Sequence, residues 1–329
     1  MSALPEQLIS SLRGTPGFDE QAFRKVHAAA ERVTSIRFNA DKCSPGDGPD
    51  AACFPAQVFP GRSIAGPVPW SGQGYYLKTR PAFFLDPLWH GGLYYVQDAS
   101  SMCLSFAMEH LCDLSGPGRP LRILDLCAAP GGKSTLMAAM MPPGSLLVSN
   151  ETIGSRVGVL EENMVKWGAA GVIVTQNDAR DFGRLKGYFD LILVDAPCSG
   201  SGLFRKDPEA IGQWSEQQVQ LCASRQRRIL ADVMGALKPD GRLIYATCSY
   251  SPAEDEQICD YLLDTFPLEN KALPFRADWN IVETTSALHQ AKGYRFYPDR
   301  LAGEGFFLAC FRGVGPGEPA RADGKKGKQ

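Results

Sequence analysis

Two cysteines occupy similar positions in the chain, each in a short polar segment that follows an apolar run. Cys198 lies within Asp195–Gly202 (DAPCSGSG), and Cys248 lies within Ala246–Tyr250 (ATCSY). A single cysteine near the end of a β-strand is usually a small buried apolar residue. Two cysteines at two strand ends, each followed by serine, instead indicate a pair of thiols that face one cleft and take part in chemistry.

Methylation of C5 of a pyrimidine is a reaction that uses such thiols. C5 is too electron-poor to attack a sulfonium methyl group, whereas addition of a thiolate to C6 makes C5 a nucleophile. Asp195 lies where a carboxyl group can hydrogen-bond N3 of the ring, and a second thiol can help to remove the C5 proton or to release the enzyme. Lys133, in a glycine-rich turn, can lower the pKa of a thiol or contact the base.

The glycine-rich turn lies in Leu121–Thr135 (LRILDLCAAPGGKST), which is typical of a strand, a turn and the start of a helix. Small residues let a ligand approach the backbone, and free amides at a helix N-terminus bind polar or anionic groups. Gly132–Ser134 resembles the end of a P-loop, whose acidic strand would be Leu191–Asp195. A P-loop requires glycine where this chain has Cys127, and Pro130 lacks an amide that a phosphate cradle uses. The pattern therefore disfavours a P-loop nucleotidase.

Acidic residues follow the next two predicted strands. Glu151 and Asp178 lie where they can accept hydrogen bonds from ribose hydroxyls and an adenine amine. Each alone is more typical of a helix cap or a solvated turn, but three consecutive strands that end in suitable groups indicate a nucleoside cofactor. Arg156, in the first helical turn after Glu151, either braces this site or is an ordinary surface residue.

These residues need a sheet that brings the ends of its strands together. Five apolar segments alternate with helical patterns, which predicts an α/β fold with a parallel sheet covered on both faces. Ligands bind at the carboxyl ends of the strands in such sheets. The predicted parallel strands are Leu121–Cys127, Leu146–Asn150, Val172–Gln176, Asp190–Ala196 and Arg242–Thr247, the predicted antiparallel edge strands are Gly293–Arg300 and Gly305–Phe311, and the predicted helices are Lys133–Met141, Gly154–Trp167, Ser215–Leu237 and Ala253–Thr265.

The rest of the chain is predicted to flank this unit. A helix over Gln21–Glu31 and a strand over Val33–Phe38 indicate a small α+β domain, and Ser44–Gly74 is rich in proline and glycine, which is typical of turns. The last residues contain almost no apolar side chains. The predicted division is an N-terminal RNA-binding or accessory domain at 1–88, a catalytic domain at 89–313 and a flexible basic tail or linker at 314–329.

Composition limits the class of protein. The chain has 329 residues, with 34 Lys and Arg against 36 Asp and Glu, a balance that argues against a nucleic-acid partner unless basic groups are concentrated locally. No apolar run is long enough to span a bilayer, and the first residues do not resemble a signal peptide. Ten cysteines without a Cys-x-x-Cys pair, and four histidines, predict a cytoplasmic protein with reduced thiols and no metal site.

Five segments of the chain resemble the Sun-domain (Nop/Sun-type) RNA cytosine-5 methyltransferases, most closely the bacterial 16S rRNA enzymes of that group. The resemblance implies a class I S-adenosylmethionine-dependent methyltransferase fold, with a doubly wound, mostly parallel seven-stranded sheet preceded by a small α+β domain. It implies methylation of a cytosine in RNA, with rRNA or the small ribosomal subunit as partner and tRNA as an alternative. The matching segments are Ser35–Asn39, Tyr94–Met102, Leu124–Lys133, Asp195–Pro208 and Tyr245–Ser249.

The resemblance also separates the roles of the two thiols, which the spacing leaves open. It implies that Cys248 is the nucleophile and that Cys198 assists release of the product. Relatives often have a further C-terminal RNA-binding domain, and we expect none to form after Gly313. The cofactor positions that it implies are Cys127, Ala128, Ala129, Pro130, Gly131, Gly132, Lys133, Glu151, Asp178 and Asp195.

Two matters stay open in the sequence. A catalytically inactive RNA-binding scaffold of the same fold is the alternative to an enzyme, although retention of Cys198, Cys248, Asp195 and Lys133 argues against it.

The residues that contact RNA are the second open matter. Basic residues after the first cysteine segment either bind phosphate or are solvated, and nearby aromatic residues either stack on a base or pack in the core. The basic residues are Arg205, Lys206, Arg225, Arg227 and Arg228, and the aromatic residues are Phe204, Trp214 and Tyr250.

Overall fold

The computed structural model of the chain describes residues 4–29, 32–42, 64–112 and 118–315. Most of the proline- and glycine-rich stretch and nearly all of the predicted tail therefore lie outside the described residues. The strands are β1 Thr34–Phe38, β2 Ile64–Pro67, β3 Gly74–Leu77, β4 Tyr94–Val96, β5 Arg122–Asp125, β6 Leu146–Asn150, β7 Val172–Thr175, β8 Phe189–Asp195, β9 Leu237–Thr247, β10 Leu268–Asn270, β11 Val282–Thr285, β12 Lys292–Phe296 and β13 Phe306–Gly313. The helices are α1 Glu6–Leu12, α2 Glu20–Ala29, α3 Pro87–His90, α4 Cys103–Cys112, α5 Gly132–Met140, α6 Gly154–Trp167, α7 Ala179–Phe182, α8 Ala210–Gln213, α9 Glu216–Val233 and α10 Glu256–Thr265.

The larger sheet confirms the α/β prediction. Its strand order is β11-β12-β13-β9-β8-β5-β6-β7, and β10 pairs with β13. Strands β5 to β9 pair in parallel, whereas β13 runs antiparallel to β9. The run from β12 to β7 is the expected seven-stranded sheet, and the short strands β10 and β11 extend it beyond the prediction. Strand order reverses between β6 and β8 on either side of β5, which is the position where such sheets bind ligands.

Helix α9 covers one face of this sheet. Leu230 and Val233 of this helix, and Met234 just after it, are buried against Ile192 and Leu243 of the central strands, so its apolar side chains face the sheet. The helix ends earlier than predicted because a 3₁₀ turn and then β9 begin before residue 238.

The segment Lys238–Gly241 lies within β9, whereas the predicted helix and strand bounds leave it as a connection between Leu237 and Arg242. The pairing of β9 with β8 shifts here from Phe189–Leu237 to Leu191–Arg242. The extra residues on β9 therefore form a bulge, in which proline and glycine are tolerated.

A small antiparallel sheet, in the order β2-β3-β1-β4, belongs to the N-terminal part of the chain. It includes β4 and so continues beyond residue 88. Arg37 of β1 joins this small sheet to helices α5 and α6. Its buried guanidinium donates to Thr135 Oγ1 of α5 at 2.6 Å and lies over the ring of Trp167 in α6. It also donates to Gln97 Oε1 at 2.8 Å. The start of α5 is therefore fixed partly by a residue almost a hundred positions earlier.

The described residues contain no helix that is both long and apolar enough to cross a membrane. They also contain no group of three or more His, Cys, Asp or Glu side chains arranged to hold a metal ion.

Candidate active site

The two cysteine segments meet at the carboxyl ends of β8 and β9. These strands are parallel neighbours with Asp195 opposite Ala246, so the residues that follow them leave the sheet side by side. The sulfur atoms of Cys198 and Cys248 are 3.0 Å apart. The amide of Gly202 donates to the carbonyl of Cys248 at 2.9 Å and ties the two segments together.

Protonation of Cys198 depends on its neighbour. Either sulfur can be the donor in the contact between Cys198 and Cys248. The hydrogen bond with Cys248 and burial both raise the pKa of Cys198 well above its ordinary value. Both effects favour the neutral thiol of Cys198 over its thiolate.

Lys133 enters the cleft from the first turn of α5. Its ammonium is 2.7 Å from Asp195 Oδ2, with side-chain exposures of 15% and 29%, and lies 5.1 Å from the centre of the Phe306 ring. Burial opposes the charge on Lys133, but Asp195 outweighs burial and raises the pKa of the lysine. Lys133 therefore stays a cation beside the carboxylate that ends β8.

Side-chain hydrogen bonds hold the glycine-rich turn. Asp125, at the end of β5, accepts from Ser134 Oγ at 2.6 Å, and burial raises the pKa of Asp125 to about 7. Arg156 donates to the carbonyl of Ala129 at 2.6 Å and pairs with Glu151 at 3.1 Å, so it braces the turn. Sequence reasoning did not single out Asp125, although an acidic residue at the end of the first parallel strand was a usable signal.

A cavity of about 460 Å³ joins the turn to the cysteines. The other predicted cofactor residues, which do not line this cavity, are Ala128, Pro130, Gly131, Gly132 and Lys133. The predicted residues that line it are Cys127, Ala129, Glu151, Arg156, Asp178, Asp195, Cys198 and Cys248.

Helix α9 contributes lining residues that sequence reasoning did not assign to a cofactor. Arg225, Arg228 and Asp232 share one helical face and reach this cavity, together with the apolar side chain of Ile229. Their spacing of three and four residues was the signal that could have found them.

The cavity suits a nucleoside. The Glu151 carboxylate is almost fully buried at the end of β6, and its Oε2, though ion-paired with Arg156, accepts no hydrogen bond from the described residues. Asp178, at the start of α7 and after β7, is half-exposed. Carboxylates at neighbouring strand ends, with Ile153 and Ile229 as apolar walls, match ribose hydroxyls beside a flat base.

Comparison with known proteins decides the family. Residues 116–312 match the model described as 16S rRNA methyltransferase RsmB/F, and residues 4–99 match the N-terminal domain of 16S rRNA methyltransferase RsmF. The chain belongs to this family. Family and fold together confirm the predicted cofactor, S-adenosylmethionine.

Individual relatives agree with this assignment. The chain is 37% identical over 268 residues to ribosomal RNA small subunit methyltransferase F of Pectobacterium atrosepticum, covering 79% of this chain and 53% of that protein. It is 36% identical over 309 residues to the Enterobacter sp. (strain 638) protein of the same name, covering 92% and 62%. The chain thus spans about half to three fifths of the length of these relatives.

Solved structures show the same fold. A methyltransferase homologue from Pyrococcus horikoshii superposes with a TM-score of 0.73 at 25% identity, covering 94% of this chain and all of that one. The structure of NSun6 from the same organism gives a TM-score of 0.74 at 18% identity, covering 95% and 99%, and supports the fold alone.

The structure selects between the alternatives left open for the residues near the cysteines. Phe204, Trp214 and Tyr250 are buried in an apolar cluster with the N-terminal helices, so they pack in the core and do not stack on a base. Arg205 is also buried and donates to the carbonyl of Gly303 at 3.0 Å. Arg227 lies over the Tyr261 ring, away from Arg225 and Arg228, so the predicted basic patch is split.

Proposed function

We propose that this chain methylates C5 of a cytosine in RNA, with 16S rRNA as the substrate favoured by its family. The observation that carries the proposal is the contact between Cys198 and Cys248 in a cavity that also holds the glycine-rich turn. A second thiol beside a nucleophilic thiol is of no use in methyl transfer to oxygen or nitrogen. It is useful where an enzyme–base bond must form and then break.

In this mechanism the Cys248 thiolate adds to C6 of the cytosine, and the electron pair of the C5–C6 bond becomes available at C5. Asp195 lies at the cleft where it can hydrogen-bond the N3 side of the ring, and Lys133 supplies a fixed positive charge beside it. Once C5 carries the methyl group, loss of the C5 proton returns its electron pair to the C5–C6 bond, and the C6–S bond breaks with its own pair returning to the Cys248 sulfur. Cys198 assists this release. Glu151, Asp178 and the glycine-rich turn would hold the cofactor, which supplies an electrophilic methyl group.

The proposed RNA contacts come from both parts of the chain. Arg225 and Arg228 line the cofactor cavity from α9 and can reach phosphates beside the flipped nucleotide. A second space, called here the aromatic cavity, has a volume of about 500 Å³ and borders the glycine-rich turn. Its lining includes Arg80, Phe83, Phe84, Trp89 and Tyr95.

The aromatic cavity has the features of a site for unpaired bases. Phe84 is 69% exposed, and the Arg80 guanidinium lies 5.3 Å from the centre of the neighbouring Phe83 ring, which is itself buried. An exposed aromatic ring with an arginine nearby is a usual platform for single-stranded RNA. We assign it to nucleotides that flank the target.

Single substitutions of the thiols test the mechanism. Cys248→Ala should abolish turnover and form no covalent RNA adduct, whereas Cys198→Ala should accumulate the adduct as a slow-migrating band on denaturing gels. Cys112→Ala, on α4 far from the cleft, is the control and should resemble the unaltered protein. The reverse pattern would show that the thiol roles are exchanged, and RNA binding without any adduct or methylation would indicate a scaffold.

The cofactor and the target need separate measurements. Calorimetric titration should detect S-adenosylmethionine and not ATP, and binding of ATP alone would contradict the proposal. Bisulfite sequencing of total RNA from a deletion strain should show one or a few cytosines that lose protection. If those cytosines lie outside 16S rRNA, the substrate assignment is wrong while the chemistry stands.

A further inference from the structure

Glu254 is a fully buried carboxylate that the proposed mechanism does not use. It accepts hydrogen bonds from both cysteine segments. On the Cys198 side, the amide of Ser199 donates to Oε1 at 2.8 Å and the hydroxyl of Ser199 donates to Oε2 at 2.6 Å. On the Cys248 side, the hydroxyl of Ser249 donates to the same Oε2 at 2.6 Å.

A fourth group completes the arrangement. The Gln226 side-chain amide, on α9, lies 3.4 Å from Glu254 Oε1 and donates at 3.0 Å to the carbonyl of Pro197. The carboxylate therefore receives donors from the residue after each cysteine and from the helix that lines the cavity. Charge-assisted hydrogen bonds of this length are strong and directional.

The neighbouring carboxylates have different partners. Asp255 accepts from Thr247 Oγ1 at 2.6 Å, and Glu256 forms a bidentate pair with Arg295 of β12. Of these three consecutive acids, Glu254 is the one whose side chain joins the two cysteine segments. Its position is thus suited to setting the geometry of the thiols and not merely to anchoring α10.

We infer that Glu254 is a positioning residue that fixes the separation of Cys198 and Cys248 by binding the serine that follows each of them. The inference rests on the proposed function, because the thiol pair matters through that reaction. It explains why serine follows both cysteines: each hydroxyl is one of the two donors to a shared oxygen. The thiols themselves do not contact Glu254, so the residue acts through the two segments.

Oxidative crosslinking measures the thiol geometry without RNA or cofactor. Diamide oxidises two thiols to a disulfide and takes up their two electrons and two protons, and the reaction needs sulfur atoms already close together. In the unaltered protein we expect rapid formation of a Cys198–Cys248 disulfide, identified by peptide mapping. Glu254→Gln keeps the size of the side chain but loses the charge, and should slow this crosslink at least tenfold in the native protein and not in urea.

A matched control separates positioning from stability. Asp190→Asn changes another buried carboxylate, which is 4% exposed at the amino end of β8, accepts from the Arg122 amide at 2.9 Å and pairs with Lys238 at 2.7 Å. It should lower the unfolding midpoint without altering the crosslinking rate. A Glu254→Gln protein that crosslinks as fast as this control would overturn the inference.

Kinetics supply the second readout. Misplacement of a nucleophile by about 1 Å costs on the order of 100-fold in rate, so Glu254→Gln should lower kcat by about that factor while KM for S-adenosylmethionine stays unchanged. If Glu254→Gln fails to fold, Ser199→Ala and Ser249→Ala each remove one donor and should each lower the crosslinking rate. If the unaltered protein forms the crosslink but never methylates RNA, the proposed function is wrong while the positioning role of Glu254 stands.

Discussion

The Lys133–Asp195 ion pair connects the glycine-rich turn to the strand that precedes Cys198. Because Asp195 raises the pKa of Lys133, Asp195→Asn should lower the pKa of the lysine and move the alkaline limb of the pH–rate profile to lower pH. Loss of the hydrogen bond to the base should also reduce kcat by roughly 10- to 100-fold. Asp181→Asn, which changes a half-buried acid on α7 that pairs with Arg184, provides the control. An unchanged rate and profile would remove Asp195 from the mechanism.

Asp125 makes stability depend on pH. Its pKa in the folded protein is about 7, against an ordinary 3.8, because it is buried. Between pH 4 and 7 the unfolded chain loses this proton while the folded protein keeps it. The free energy of unfolding therefore falls as pH rises through this range to about 7, by roughly 4 kcal/mol in total. Asp125→Asn should therefore show a smaller decline between pH 5 and pH 8 in urea unfolding than the unaltered protein. Parallel declines would contradict this account.

At the scale of residues, the sequence was a good guide where chemistry is tied to strand ends. Cys198, Cys248 and Asp195 could be predicted together because parallel strands end at one edge of a sheet. Glu254 and Asp125 could not, since a buried carboxylate is recognised by the donors around it, and those come from segments far apart in the chain. Phe204 and Tyr250 illustrate the limit of this approach: proximity in sequence to a cysteine proposed to be catalytic does not expose an aromatic ring.

Between elements, the critical contact is that of β1 with α5 through Arg37. Burial lowers the pKa of Arg37 to about 9, so its charge is costly and its three acceptors, Gln97, Thr135 and the carbonyl of Gly132, offset that cost. Arg37→Met should destabilise the protein by about 1–3 kcal/mol by leaving these acceptors unpaired, and weaken S-adenosylmethionine binding by shifting the start of α5.

Urea midpoints and calorimetric titration check the Arg37 prediction. Arg13→Met removes an exposed ion pair with Glu20 and should change stability by no more than about 0.5 kcal/mol. If both arginine substitutions behave alike, the contact of β1 with α5 does not position the residues that we propose bind the cofactor.

The period of apolar residues explains which elements could be predicted. Long helices such as Gly154–Trp167 and buried strands such as Leu146–Asn150 have the predicted bounds. The short strands β10 and β11 carry too few residues for a period to appear. The bulge at Lys238–Gly241 contains residues that are typical of turns. It lies inside β9 because that strand pairs with β8 and with β13, and these contacts between distant segments leave no local pattern in the sequence.

Across the whole molecule, charge is uneven. Residues 1–88 contain nine basic and eight acidic side chains, whereas residues 89–313 contain 21 and 26, so the net charge of −2 averages unlike parts. The acidic excess of the second part includes the carboxylates that we propose bind the cofactor. RNA binding by such a molecule has to rely on local groups, and salt should weaken it less steeply than it weakens binding by a strongly basic protein.

The aromatic cavity provides a test of whether RNA binding relies on local groups. Removing one stacking platform typically weakens single-stranded RNA binding by about tenfold or more. Phe84→Ala should therefore raise the Kd for a single-stranded 16S rRNA fragment by that factor in fluorescence anisotropy, and leave S-adenosylmethionine binding unchanged because the ring does not line the cofactor cavity. Leu288→Ala, a similarly exposed apolar residue at 72% on another face, is the control. Equal Kd values for both variants would show that the aromatic cavity does not bind RNA.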